Sequence, residues 1–287
     1  MTITKPAIRY HGSKFRLAAW IQSFFPPHTC YVESFGGAAG VLLQKPRAYA
    51  EVYNDLDGSV VNFFRVIKDP ITRDQLIKAV IMTPYAREVF ESAWDPSDDP
   101  IEDALRLCIR AQMGFGSAGA TKGSTGFRID SKRDYGTAMD LWAEYPDAIC
   151  AAGQRFCREL IENRPAISIL QQHDAPTTLH FVDPPYVLAT RVIRGNADGG
   201  KGAYRHELTN DDHVELLQVL CSLTGSVVLS GYESDLYNIN LPGWKKQVTS
   251  SRIAAGRGGA IRQEVVWLNP RCVEALEAEV KQSSMFA

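Results

Sequence analysis

Cysteine is scarce and scattered in this chain. Cys30, Cys108, Cys150, Cys157, Cys221 and Cys272 form no C-x-x-C pair and no Cys/His cluster with zinc spacing. That argues against a disulfide framework, a thiol redox motif and a metal centre, and leaves reduced thiols that mostly pack. No apolar run approaches the length of a membrane span, and the first residues lack a signal-peptide pattern. The expectation is a cytoplasmic protein with no membrane partner. Excess charge is also missing: the net charge is −2 and the pI about 6.3, which excludes an indiscriminate nucleic-acid coater. No glycine-rich stretch ends in Gly-Lys-Ser/Thr, so nucleotide hydrolysis on a Walker loop is disfavoured. Neither an internal repeat nor a low-complexity tract is present, and nothing suggests an obligate oligomer, so a monomer is expected.

What is present is an ordinary soluble composition, 45% hydrophobic and 22% charged over 287 residues. A chain of that length buries a full core, as one large domain or one domain with an insertion. The stretch that organises the reading is Asp183-Pro184-Pro185-Tyr186. It follows Thr178–Val182, a short apolar, β-branched run that reads as a buried strand. Two prolines cannot donate to a sheet ladder and must end that strand. An acid, a carbonyl and an aromatic ring are left at a strand's C-terminal end, where ligands sit in open α/β sheets. Both acceptors suit an amino group, and the ring offers a face for a flat base. A bare strand followed by a Pro-Pro turn and a surface acid is the competing reading, weighed by the rest of the chain.

In chain order, Gly12 and Ser13 make a turn into an amphipathic helix expected over Phe15–Phe25, whose N-terminus favours an anion. Cys30–Leu43 reads as strand, glycine-rich turn and helix, the small residues Gly36, Gly37 and Gly40 allowing close approach of a ligand. A second strand, Ala48–Tyr53, delivers Asp55, and an acid at that point commonly binds the hydroxyls of a ribose. Helical segments are expected at Val60–Ile67, Arg73–Ile81, Pro84–Trp94, Ile101–Gln112 and Trp142–Asn163. Between the last two lies an aperiodic loop, Met113–Tyr135. Its Gly114-Phe115-Gly116-Ser117-Ala118-Gly119 is a literal G-x-G-x-x-G, but it follows a helix and is no dinucleotide fingerprint. Lys122, Arg128, Lys132 and Arg133 give the loop the look of one that meets phosphates, though a surface loop without a partner has the same composition.

A strand is then expected at Ala166–Leu170, leading to Asp174. After the Pro-Pro motif come a helix opened by Thr209 and Asp212 as a capping box, a buried strand at Ser226–Leu229, and two strands, Lys246–Ile253 and Ile261–Leu268, as a hairpin. Two glycine-rich segments are basic, one with Arg191, Arg194 and Arg205, the other with Arg257. They are permissive for contact with nucleic-acid phosphate along one face.

The order of glycine-rich turn, inserted helical block and D-P-P-Y resembles the Dam-like (D12 class) DNA adenine-N6 methyltransferases. Tyr10-His11-Gly12-Ser13-Lys14 is similar to that family's aromatic-x-Gly-x-Lys segment, and Val32–Gly40 to its F-x-G-x-G loop. Ser34 stands where the family has proline, and Ala39 where it has its second motif glycine. The resemblance implies a Rossmann-like α/β methyltransferase sheet (1–68 and 165–287) with an inserted, mainly helical target-recognition domain (69–164). It implies S-adenosylmethionine as cofactor, held by Tyr10, Lys14, Phe35, Gly37, Asp55, Asp174 and Asp183, and duplex DNA as partner. Catalysis would fall to Asp183, Pro184 and Tyr186 on a flipped adenine, without a metal or a covalent intermediate. The cations Lys122, Arg128, Lys132, Arg133, Arg191, Arg194, Arg205 and Arg257 would meet DNA, and a cognate restriction endonuclease is a compatible partner. Three readings compete: a methyltransferase of cytosine N4, RNA adenine or a protein amide, a silent DNA-binding protein on the same scaffold, and a nicotinamide-dependent oxidoreductase. The last lacks a fingerprint after its first strand.

Overall fold

Two parallel strands that part company at the middle of a sheet set the geometry of this protein. The computed structural model describes residues 3–117, 119–121, 125–129, 137–190, 204–252 and 261–285. In chain order the helices are α1 (Ala18–Gln22), α2 (Gly58–Lys68), α3 (Pro70–Met82), α4 (Arg87–Ser92), α5 (Pro100–Met113), α6 (Ala138–Ala143), α7 (Tyr145–Phe156), α8 (Ala166–Gln172), α9 (Asn210–Ser222), α10 (Asp235–Asn240) and α11 (Pro270–Met285). The strands are β1 (Cys30–Glu33), β2 (Ala50–Asn54), β3 (Leu160–Glu162), β4 (Thr178–Val182), β5 (Ser226–Gly231), β6 (Lys245–Arg252) and β7 (Ile261–Leu268).

They form one seven-stranded sheet in the order β3-β2-β1-β4-β5-β7-β6. The first five run parallel, and β7 pairs antiparallel with β5 and β6. From β1 the chain winds outward through β2 to β3, then returns to the other side of β1 with β4. The loops leaving β1 and β4 therefore diverge, and a crevice opens at the strands' C-terminal ends. Strand β4 is buried along its whole length, His180 included, and β5 likewise, as in a sheet covered on both faces.

Helices α3, α5 and α7 pack on α2, and one continuous apolar core joins them to the sheet through Phe63, Phe64, Leu107 and Phe156. Side chains cap several helix starts. Asp57 accepts from Ser59 N at the start of α2, and Asp69 and Asp99 do the same for α3 and α5, each ahead of a proline. Thr209 and Asp212 form a reciprocal capping box.

The local reading needs four corrections. Residues 166–172 are helix α8 and not a strand, because a chain returning from β3 to a parallel β4 needs a crossover. The stretch Trp142–Asn163 is not one helix: it divides into α6, α7 and β3, and β3 exists through pairing with β2 (Val52↔Leu160), which no local pattern reveals. No regular helix follows the glycine-rich loop. Residues 37–44 run as turns, with Ala39 at φ 53° interrupting the right-handed path. The expected N-terminal helix is reduced to Ala18–Gln22. The antiparallel partners β6 and β7 are paired from Lys245↔Leu268 to Arg252↔Ile261, while their connection at 253–260 lies outside the described residues.

Candidate active site

The crevice between the diverging strands is a cavity lined by Tyr10, Lys14, Glu33, Phe35, Gly37, Asp55, Asp57, Asp183, Tyr204 and Arg205, among others. Each wall has a local cause. Strand β1 ends at Glu33, and the chain turns through Gly36 and Gly37. A Cβ on Gly36 would lie 2.2 Å from the Tyr53 ring, and one on Gly37, at φ +46°, would lie 2.9 Å from the Tyr10 ring. Glycine is therefore required for the loop to lie between these two rings. Strand β2 ends at Asn54 and delivers Asp55. One oxygen of Asp55 accepts from Gly37 N (2.8 Å) and the other from Asp57 N (2.8 Å). Burial raises the Asp55 carboxyl above its usual range, and those two backbone donors pull it partly back.

Strand β4 delivers Asp183. Lys14 Nζ lies 3.0 Å from Asp183 Oδ1, donates to Gly12 O at 2.8 Å, and stands 4.7 Å from the centroid of the Tyr186 ring. Burial pushes the Asp183 carboxyl up, and the Lys14 ammonium counters it. Tyr186 is itself buried. Its ring meets that of Tyr232 edge-on at 4.5 Å, and its phenol reaches Ser230 Oγ (3.0 Å) and donates to Glu264 Oε2 (2.9 Å). Glu33, fully buried in the floor, accepts from the Tyr31 hydroxyl (2.6 Å) and Leu42 N (3.0 Å). Burial raises its carboxyl to about 8.

Of the expected cofactor-binding residues, Tyr10, Lys14, Phe35, Gly37, Asp55 and Asp183 share this cavity. Asp174 does not. It precedes β4, whereas Asp183 follows it, so the length of a five-residue strand separates them, roughly 17 Å. Its carboxylate is taken by Thr224 N (2.8 Å), Thr224 Oγ1 (2.9 Å) and Gly225 N (2.9 Å). Burial works to raise its pKa, but those bonds prevail and hold it below the usual carboxylate range. Asp174 is thus a clasp for the α9–β5 turn, at the opposite end of β4 from Asp183.

Two of the cations expected on DNA lie within the described residues. Arg128 is buried at 8% exposure, its carbonyl accepting from Tyr85. Arg205 Nη1 pairs with Asp57 Oδ1 at 3.1 Å and reaches Ser59 Oγ at 3.3 Å. Lys122, Lys132, Arg133, Arg191, Arg194 and Arg257 lie outside the described residues. Tyr204 and His206, which no sequence pattern marks, line the cavity together with Arg205. Tyr204 stacks over Gly12, where an added Cβ would meet its hydroxyl at 2.1 Å, and faces His11 edge-on at 5.5 Å. Among the described residues no group of three His, Cys, Asp or Glu side chains could hold a metal, and no helix is long and apolar enough to cross a membrane.

The glycine-lined wall, the acid that follows β2 and the acid that follows β4 thus face one cavity. No curated protein matches the chain. Residues 10–96, which include Tyr10, the glycine-rich loop and Asp55 but stop short of Asp183, match the family model of the D12 class N6 adenine-specific DNA methyltransferases.

Proposed function

We propose that this enzyme transfers a methyl group from S-adenosylmethionine to the N6 amino group of adenine within a specific sequence of duplex DNA, and that Asp183 is the residue on which transfer turns. The observation that carries the reading is the position of Asp183. It stands at the switch point of the sheet, in the same cavity as the glycine-rich loop and Asp55.

The cavity suits the cofactor. Gly36 and Gly37 leave room that a Cβ would fill, and each Asp55 oxygen accepts a backbone N–H, keeping lone-pair capacity for ribose hydroxyls. Tyr10, Lys14, Phe35 and Gly37 complete the lining. When bound, S-adenosylmethionine supplies an electrophilic methyl group on a sulfonium.

Adenine N6 is a weak nucleophile because its lone pair is delocalised into the ring. The Asp183 carboxylate and the Pro184 carbonyl, accepting its two N–H groups, orient it and return electron density to nitrogen. One such preorganised contact in a dry pocket is worth about 3 kcal/mol. The amine lies inside the duplex, so the nucleotide must leave the stack. Tyr186 offers the flipped base a ring face. Lys14 covers that ring in this structure, so the base takes over the place of the ammonium. No covalent intermediate is needed. The block 69–164 serves as target-recognition region and the remainder as catalytic domain, although the sheet regains the chain already at Leu160.

Asp183→Ala tests the reading. It should abolish methyl transfer to DNA while S-adenosylmethionine binding persists, and near-normal turnover by that variant would sink the assignment. Cytosine N4 or an RNA adenine would leave the same carboxylate essential and change only the methylated nucleoside.

A further inference from the structure

Glu264 is a carboxylate 8% exposed in the sheet, where burial of charge costs several kcal/mol unless hydrogen bonds compensate. Its neighbours on β7, Val265, Val266 and Trp267, are apolar and buried. A purely structural position there would be filled by an apolar side chain. The phenol of Tyr186 donates to it at 2.9 Å. The same phenol meets Ser230 Oγ at 3.0 Å. Ser230 pairs with Val266 across the β5–β7 ladder, so Glu264 is its diagonal neighbour on the same face. Two polar atoms from adjacent strands therefore grip one hydroxyl.

The grip matters because of what the ring touches. Lys14 Nζ lies 4.7 Å from its centroid, and the same ammonium lies 3.0 Å from Asp183. Tilt of the ring is thus tied to the surroundings of the carboxylate. A hydrogen bond to an ionised acceptor is shorter and roughly twice as strong as a neutral one. It also leaves more electron density on the ring, which favours a cation or an electron-poor base at its face.

We propose that Glu264, seconded by Ser230, is a positioning residue for methyl transfer: it holds the Tyr186 phenol so that the ring presents its face beside Asp183. The inference rests on the functional reading given above and adds a residue on β7, far outside the D-P-P-Y motif.

The test is a double-mutant cycle on the full-length enzyme. Tyr186→Phe and Glu264→Leu should each lower single-turnover methylation about tenfold, the loss expected for one hydrogen bond to a charged group, with the Kd for S-adenosylmethionine unchanged. The double variant should be no worse than Tyr186→Phe alone. Glu264→Gln, whose amide oxygen still accepts from the phenol, should recover most of the rate. Fluorescence of 2-aminopurine at the target position should report a less immobilised base in Glu264→Leu. Wild-type rates in Glu264→Leu, or a double variant that multiplies the two losses, would overturn the inference. If Glu264→Leu fails to fold, Glu264→Met in the same cycle decides it. Absence of adenine methylation by the wild type would instead overturn the functional reading, and this inference with it.

Discussion

The ammonium of Lys14 lies 3.0 Å from Asp183 Oδ1, bridging the N-terminal segment and the end of β4. This contact opposes the effect of burial on the Asp183 carboxyl, which is raised above its ordinary value. Methyl transfer needs the carboxylate form as acceptor. With Lys14→Met the counter-charge is gone and the carboxyl rises further, so the acid limb of the rate profile should move to higher pH. A single-turnover pH profile of both proteins checks this, and an unmoved limb contradicts it.

Glu33 predicts a pH dependence of stability. Its carboxyl titrates at about 8 in the fold, against 4.5 for the free group, with burial the main cause. The folded state therefore holds the proton more tightly than the unfolded chain. Stability from this group is fully present below about pH 4.5 and is lost as pH rises through 8. Glu33→Gln keeps an oxygen for Tyr31 and Leu42 N and cannot ionise. It should match the wild type in urea denaturation at pH 5 and exceed it at pH 8.5.

Ala39 should tolerate a substitution, and its neighbour Gly40 should not. Ala39 holds φ 53°, a left-handed geometry that costs an L-residue about 1 kcal/mol. Ala39→Gly should leave stability within about 1 kcal/mol of the wild type, strain relief offsetting chain entropy. A Cβ on Gly40 would lie 2.8 Å from Phe15 N, a backbone atom. Gly40→Ala should cost about 2 kcal/mol, the scale of overpacking, and weaken cofactor binding. Thermal unfolding and calorimetric titration measure both.

Much of the site was legible because its chemistry is local. Two prolines end β4 wherever they fall, and small residues at 36, 37 and 40 mark a close approach whatever surrounds them. Strands β1, β2, β4 and β5 announced themselves as short β-branched runs. Long-range effects were illegible. Strand β3 is an edge strand made by β2, and Ile167, Ile169 and Leu170 satisfy strand and helix patterns alike over so few residues. Asp174 follows an apolar run as Asp55 does, but that run is the crossover helix α8, which puts the acid before β4 and at the other end of the strands from the cavity. Tyr204 and Arg205 carry no periodic signal and reach the cavity only through chain closure.

Arg205 shows the cost of reading charge without geometry. Counted from the sequence it is a DNA cation, yet its guanidinium is committed to Asp57 and Ser59 at the roof of the cavity. Arg205→Ala should weaken S-adenosylmethionine three- to fivefold, about 1 kcal/mol for a half-exposed pair. DNA affinity and its salt dependence should stay unchanged, whereas loss of a phosphate contact would reduce the salt slope by about one.

The most direct measurement is transfer of labelled methyl from S-adenosylmethionine to mixed-sequence duplex DNA, followed by nucleoside analysis. The account predicts label in N6-methyladenine alone. Label in cytosine, or cofactor binding with no label on DNA, would contradict it.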